Sequence, residues 1–286
     1  MKFLKEVEKA EVYILSDNSV KMGSKNMIGE HGFSALIISN KGEVLLDTGQ
    51  TGKVLLNNLE ILKKGIIRDI IISHGHYDHT GGLLALLRKI SYSCQIYAHP
   101  MIFNKRFKKT KEELKEIGMP FSKEEIESIG GKLNLSSNPI VINQWIMTTG
   151  TIERELEFEK SYETEFFIEI EGKLQPDPFL DDQAVIFSIE NKGLVIITGC
   201  AHSGLINTIN YAKKMTDSSE VYAIIGGFHL DEVSKERLEE TINHLKEINP
   251  KLIIPCHCTG KNAMFELKKE FGNSIIYGEV GLIIKL

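Results

Sequence analysis

Apolar and polar positions alternate along Glu11 to Leu15, the pattern of a strand with one covered face. A polar loop from Ser16 to Gly32 follows. Phe33 to Ser39, the turn Asn40-Lys41-Gly42 and Glu43 to Asp47 then read as a β-hairpin. Gly52 to Lys64 repeats its apolar residues at helical spacing, and Gly65 stands where a helix ends well. Ile70-Ile71-Ile72 has no polar face, as expected of a parallel strand covered on both sides. It leads into Ser73-His74-Gly75-His76-Tyr77-Asp78-His79-Thr80-Gly81-Gly82, and Leu83 to Ile90 is an apolar, helix-favouring run. Three histidines and one aspartate are thus packed into a turn between a strand and a helix.

The same order recurs. Gln95 to Ala98 reads as a short strand ending in His99-Pro100, where a packing role suits the isolated histidine. Ala184 to Ile189 and Leu194 to Thr198 form a hairpin that runs into Gly199-Cys200-Ala201-His202 and a helix from Leu205 to Met215. Val221 to Ile225 leads to Gly226-Gly227-Phe228-His229 and a helix from Glu232 to Ile248. Leu252 to Ile254 leads to Pro255-Cys256-His257-Cys258-Thr259-Gly260 and a helix from Asn262 to Phe271. In an α/β sheet the C-terminal ends of parallel strands share one edge, and ligands gather there. His202, His229 and His257 are therefore expected on the same side as His74, His76, Asp78 and His79. If Glu43 to Asp47 runs parallel to the strand before Ser73, Asp47 and Gly49 reach that edge, and the antiparallel partner brings Glu30 and His31 there. His31 is expected to be a loop histidine bonded to backbone. His244 falls on the polar side of a helix whose stripe is Leu238, Ile242, Leu245 and Ile248, so it takes no role.

Imidazole nitrogens and a carboxylate suit zinc, iron or manganese. His74 and His76, two residues apart, can point at one ion while Asp78 and His79 reach a neighbour. Two ions roughly 3.5 to 4 Å apart lower the pKa of a bridging water and polarise a carbonyl or phosphoryl oxygen. Of the residues at that edge, His229 could hydrogen-bond a substrate or protonate a leaving group, and Asp78 could serve as ligand and proton acceptor.

Composition narrows the picture. The formal charge of -5 over 286 residues gives no global attraction to nucleic acid or to an anionic membrane, and no apolar run is long enough to span a bilayer. Met1 to Glu8 has no apolar core of leader length, so a cytoplasmic enzyme acting on a small molecule is expected. The oligomeric state is not legible. Cys94, Cys200, Cys256 and Cys258 are too few and too irregular for a disulfide framework; Cys256 and Cys258 flank His257 and suggest a metal site or a buried edge. Residues 101–182 differ in texture and read as an insertion lying over the site, where selectivity is set. Within it, Ser122 caps a helix over Lys123 to Ile129, and Gln144 to Ile170 reads as irregular, charged β-structure. The basic run Lys105, Arg106, Lys108, Lys109 and Lys111 suits a phosphate or carboxylate, and a solvated helix face carries such charges equally well.

His74-Gly75-His76-Tyr77-Asp78-His79 followed by Thr80-Gly81-Gly82 resembles the signature of the metallo-β-lactamase fold superfamily. Thr198-Gly199-Cys200-Ala201-His202, Gly226-Gly227-Phe228-His229-Leu230 and Pro255-Cys256-His257-Cys258-Thr259-Gly260 are similar to a narrower subgroup, the dihydropterin-methyl-ribofuranosyl-aminobenzene-phosphate synthase-like proteins. The resemblance implies an α/β (α+β) chain folded as a four-layer αββα sandwich, one domain over 1–286 with the inserted segment 101–182. It implies two divalent metal ions, zinc first, bound by His74 and His76 and by Asp78, His79 and His257. Where most members end a strand in Thr-Gly-Asp, this chain has Thr198-Gly199-Cys200, and His202 is the natural replacement for the usual upstream histidine. Cys200 is then a soft ligand or, the favoured reading, a small buried packing residue.

The first expectation is a binuclear hydrolase of a small anionic ester such as a phosphoester, with hydroxide supplied by the ions. The same ions could instead hold a pyrophosphate leaving group while a pterin-methyl group passes to an arylamine. Phe179, Asp181, Asp182 and Phe228 are candidate residues for a pterin slot. A metal-containing binding protein without turnover is the reading that the missing bridging Asp favours.

Overall fold

The computed structural model describes residues 4–64, 66–160, 165–231 and 233–286. Gly65, the expected helix end, and Glu232, the expected helix start, lie outside the described residues. Two sheets form the middle of the fold. The first has seven strands in the spatial order Ile283–Lys285, Ala10–Ser16, Ser34–Ser39, Gly42–Leu46, Asp69–Ile71, Cys94–Ala98 and Gly131–Leu135. The second has six, ordered Leu252–Cys256, Val221–Gly227, Gly193–Thr198, Ala184–Ile189, Ile146–Thr148 and Val141–Ile142.

Alternation along each strand decides what each face covers. Val12, Ile14, Ile37, Val44 and Leu46 of the first sheet meet Val185, Phe187, Val195, Ile197 and Ile225 of the second in one buried cluster. The alternate residues Tyr13, Leu15, Leu36 and Leu45 face outward, beneath helices Gly52–Leu62 and Leu83–Lys89. Ile186, Leu194, Ile196 and Ile224 face the other way, beneath helices Leu205–Thr216, Lys235–Ile248 and Lys261–Phe271. The result is an αββα sandwich of four layers. Among the described residues no helix is long and apolar enough to cross a membrane.

Gly42–Leu46, Asp69–Ile71 and Cys94–Ala98 are parallel, as are Gly193–Thr198, Val221–Gly227 and Leu252–Cys256. Ser34–Ser39 is antiparallel to Gly42–Leu46 and starts at the edge where that strand ends, which carries the preceding loop there as well. Ser122 caps helix Lys123–Ser128 with a full capping box.

Residues 101–182 supply Gly131–Leu135 to the first sheet and Val141–Ile142 with Ile146–Thr148 to the second. They also build a separate four-stranded sheet ordered Lys173–Pro176, Phe166–Ile170, Arg106–Lys109 and Leu114–Glu116. The basic run is therefore part of a strand and not a helix face. Arg106, one of its cations, is buried. Its Nε donates to Asp177 Oδ2 at 2.8 Å, one Nη to Asp181 Oδ1 at 2.6 Å and the other to the Met101 carbonyl at 3.0 Å. Asp181 uses its second oxygen to accept the Gly75 N–H at 2.8 Å. Gln183 continues the brace, donating its backbone N–H to the Ser73 carbonyl and its side-chain amide to that of Ile72. Gly75 has no room for a side chain, since a Cβ there would stand 2.5 Å from the Ile102 carbonyl oxygen and 2.6 Å from an Arg106 nitrogen.

A buried cation between two carboxylates is costly to break because the partners are left uncompensated. Arg106→Ala is expected to lower stability by about 3 to 5 kcal/mol, read from the midpoint shift in denaturant unfolding. A loss under about 1 kcal/mol, typical of an exposed pair, would contradict this account.

Candidate metal centre

All the residues expected at the shared edge converge there. Asp47 organises the first sheet's contribution. Its Oδ1 accepts the Ser73 N–H at 2.7 Å, and its Oδ2 accepts the Ser73 hydroxyl at 2.6 Å and the His79 Nδ1–H at 2.7 Å. Ser73 Oγ in turn lies 2.9 Å from His74 Nδ1. On the far side, the His257 Nδ1–H meets Asn18 Oδ1 at 3.0 Å, and the His257 backbone N–H donates to Asp17 Oδ1 at 2.7 Å. With Nδ1 engaged on His74, His79 and His257, Nε2 of each is the nitrogen left to face the centre of the cluster.

The short helix Tyr77–Thr80 carries Asp78 and His79 toward the second sheet. His79 Nε2 lies 3.1 Å from Cys200 Sγ, and His257 Nε2 lies 3.2 Å from Asp78 Oδ2. The rings of His74 and His76 each lie 4.9 Å from that of His202. Two groups of potential ligand atoms, each within 4.8 Å of one another, are His74, Cys200 and His202, and His79, Cys200 and His257. A third is His31, Asp78 and His257. The Cys200 thiol belongs to the first two, so it stands between the histidine clusters. It is buried, as a packing residue would be, but packing does not explain its contact with an imidazole nitrogen.

Electrostatics favour a cation. Burial, with the neighbouring imidazoles, holds His74 and His202 well below the ordinary histidine pKa, and burial does the same for His76, so their nitrogens keep lone pairs. Although burial opposes ionisation of Asp78, the imidazoles of His79, His257 and His31 hold it well below the usual carboxylate range. Burial, the Cys258 thiol and nearby carboxylates raise Cys200, which keeps its proton unless a cation displaces it. His76 Nε2 is buried with no hydrogen-bond partner among the described residues, a cost that a metal would remove. The donor set of imidazoles, one carboxylate and one thiol suits zinc.

Strain marks the same place. Asp47, Ala201, His229 and His257 hold φ values of 55°, 57°, 48° and 46°, the left-handed region where a side chain costs on the order of 1 to 3 kcal/mol. Gly199 permits the close approach of the two sheets, because a Cβ there would lie 2.1 Å from Ser73 Oγ.

A cavity of about 740 Å³ opens over the cluster, lined in part by His31, Tyr77, Lys108, Phe166 and His229. The His229 ring lies 4.2 Å from that of His202. His31 is not held by backbone as expected; its Nε2 reaches Asp78 Oδ2 at 3.2 Å. The proposed pterin slot is not there. Asp181 braces Arg106, Asp182 accepts the Ser203 N–H, Phe179 stacks on the His202 ring at 4.2 Å, and Phe228 is core. His99 is a packing residue: buried, it accepts the Met101 N–H, and burial lowers its pKa to about 4. His244 stacks on Phe158 away from the ligand cluster. Asp17 and Asn18 were not singled out by sequence reasoning. Their only signal is position, just after the strand Ala10–Ser16 in the loop leading to the site.

The sequence profile of the Metallo-beta-lactamase superfamily matches residues 28–257. A Methanocaldococcus jannaschii protein named 7,8-dihydropterin-6-methyl-4-(beta-D-ribofuranosyl)-aminobenzene-5'-phosphate synthase is 34% identical, over 98% of each chain. An uncharacterized protein of the same organism is 35% identical over 96% of this chain and 99% of its own. Among solved structures, Tm1679, described as a metal-dependent hydrolase of the beta-lactamase superfamily, superimposes with a TM-score of 0.81 at 28% identity, covering 97% of this chain and 99% of its own.

Two substitutions test the ligand assignment by elemental analysis of the purified protein. His74→Ala with His76→Ala should remove most bound metal, and full retention would place the ligands elsewhere. Cys200→Ser should lower the content by about one ion if the thiol is a ligand, and an unchanged content would make it a packing group.

Proposed function

The chain belongs to the metallo-β-lactamase superfamily and is an enzyme, and from that premise we propose that it joins a dihydropterin-methyl group to a phosphorylated arylamine, with pyrophosphate as the leaving group. The observation that carries this reading is the similarity to the named synthase along nearly the whole of both chains. The cavity supports it, being within the range of a drug-sized ligand site, about 300 to 1,000 Å³, and offering aromatic and cationic lining together.

Divalent ions, zinc in the first instance, would be held by His74, His76 and His202 on one side and Asp78, His79 and His257 on the other, and would supply Lewis acidity toward phosphate oxygens. The arylamine nitrogen attacks the methylene carbon as the bond from that carbon to the diphosphate oxygen breaks. His229, at the cavity wall beside His202, donates a hydrogen bond to the departing oxygen. Asp78 accepts the proton that the amine loses. The small sheet within 101–182 is the cover that sets selectivity, and the partner is a small anionic molecule.

Hydrolysis of a phosphoester at the same ligands is the second reading, favoured by the similarity to Tm1679. The two differ in what the leaving group waits for. With metal-loaded protein, 6-hydroxymethyl-7,8-dihydropterin diphosphate and the ribofuranosyl-aminobenzene phosphate, transfer predicts one pyrophosphate per coupled product, detected by mass spectrometry and abolished by chelator. Release of phosphate or pyrophosphate without the arylamine would establish hydrolysis. No turnover of either substrate would overturn both readings for this substrate pair.

A further inference from the structure

We propose that the inward face of the small sheet is an anion-recognition wall, on which Lys108 and Lys115 hold the phosphate of a substrate whose aromatic ring lies against Phe166 and Tyr77. The inference deepens the reading of the site given above and rests on it for the substrate's class. Its physical basis is the register of three strands. Phe166 pairs with Lys108 across one antiparallel ladder, and Lys108 pairs with Lys115 across the next. Directly opposed residues in an antiparallel pair project to the same face. One row of that face therefore reads aromatic, cation, cation.

Two like charges directly opposite each other destabilise a ladder unless something neutralises them. Among the described residues Lys108 pairs with Glu165 at 3.4 Å, with both side chains nearly half exposed, which makes the pair weak. Lys115 has no ion pair among the described residues. Each ammonium instead sits over an aromatic ring, Lys108 5.1 Å from the centre of Phe166 and Lys115 6.0 Å from that of Tyr77. The arrangement is a pair of cations above two rings, with one weak ion pair, that of Lys108, among the described residues.

The wall faces the candidate metal centre. Lys108, Phe166 and Tyr77 all line the cavity. Phe166 lies 5.9 Å from the His76 ring and is close to parallel with it, and 6.3 Å from that of His229. Tyr77 is anchored just past the strand that carries Lys115, since its N–H donates to the Ile117 carbonyl. Lys115 is near enough to His31 for its charge to oppose protonation of that imidazole. The two lysines are thus neighbours on one row, Lys108 lining the cavity beside Phe166 and Lys115 exposed at its margin over Tyr77, near His31. A phosphate dianion bridging them leaves the ring attached to it over Phe166 and Tyr77. The remaining basic side chains of the run do not share this placement: Arg106 is spent in the buried brace, and Lys109 pairs with Leu114 on the alternate face.

The test is calorimetric binding of phenylphosphonate, an aromatic dianion without a hydrolysable ester, to the metal-loaded protein, with benzyl alcohol as the uncharged comparison. Lys108→Gln with Lys115→Gln should weaken phenylphosphonate roughly tenfold, the sum of two partly exposed charge contacts, with metal content unchanged. Lys108→Arg with Lys115→Arg should retain affinity, and benzyl alcohol should be indifferent to either pair. Unchanged phenylphosphonate affinity in the glutamine pair would overturn the proposal. So would a loss of affinity that accompanies loss of metal, because the anion would then sit on the ions. Binding needs no turnover, so a failure of the transfer or hydrolysis reading leaves this result legible, while active enzyme with an indifferent glutamine pair sinks the wall alone.

Discussion

The carboxylate of Asp47 is the contact on which the site's geometry depends. It sits at the end of one strand, accepts three hydrogen bonds from the turn after the neighbouring parallel strand, and sets the tautomer of His79 directly and the position of His74 through Ser73. A buried carboxylate is tolerable only when its lone pairs are satisfied. Here the satisfaction comes from the residues that face the second sheet. The same spot is where Gly199 lets that sheet approach, so one compact arrangement fixes both the ligand geometry and the distance between the layers.

Much of this was legible in the sequence because it follows from strand direction. A parallel strand that ends in a polar turn delivers that turn to one edge, and four such turns place His74, His202, His229 and His257 together without any knowledge of packing. Asp47, Glu30 and His31 followed from the hairpin by the same logic. Glu30 shows what the logic secures: its carboxylate accepts the N–H groups of Gln50 and Thr51 and pins the loop against the site.

What was not legible depends on side chains meeting across long sequence separations. Asp181 and Asp182 look like ligand-type residues in the inserted segment, but their partners are Arg106 and the backbone of two distant turns. The basic run looked like a helix face because charge alone carries no period of two; the strand became visible only through its pairing with Phe166–Ile170. Cys200 is buried, as a small core residue would be, and composition does not reveal that an imidazole nitrogen lies beside its sulfur. The family resemblance supplied the ligand set but could not settle this position, where the chain departs from the common pattern.

The long-range bonds from Asp17 and Asn18 to His257 carry a further consequence, for the order of events during synthesis. One cluster of imidazoles has all its members once the ribosome has passed residue 202. The other waits until residue 257 emerges and finds a loop made near the very start. The residues at this edge are therefore complete only when the last strand-and-turn unit has been made, and its closure ties Asp17 and Asn18 to His257 across nearly the whole length of the chain.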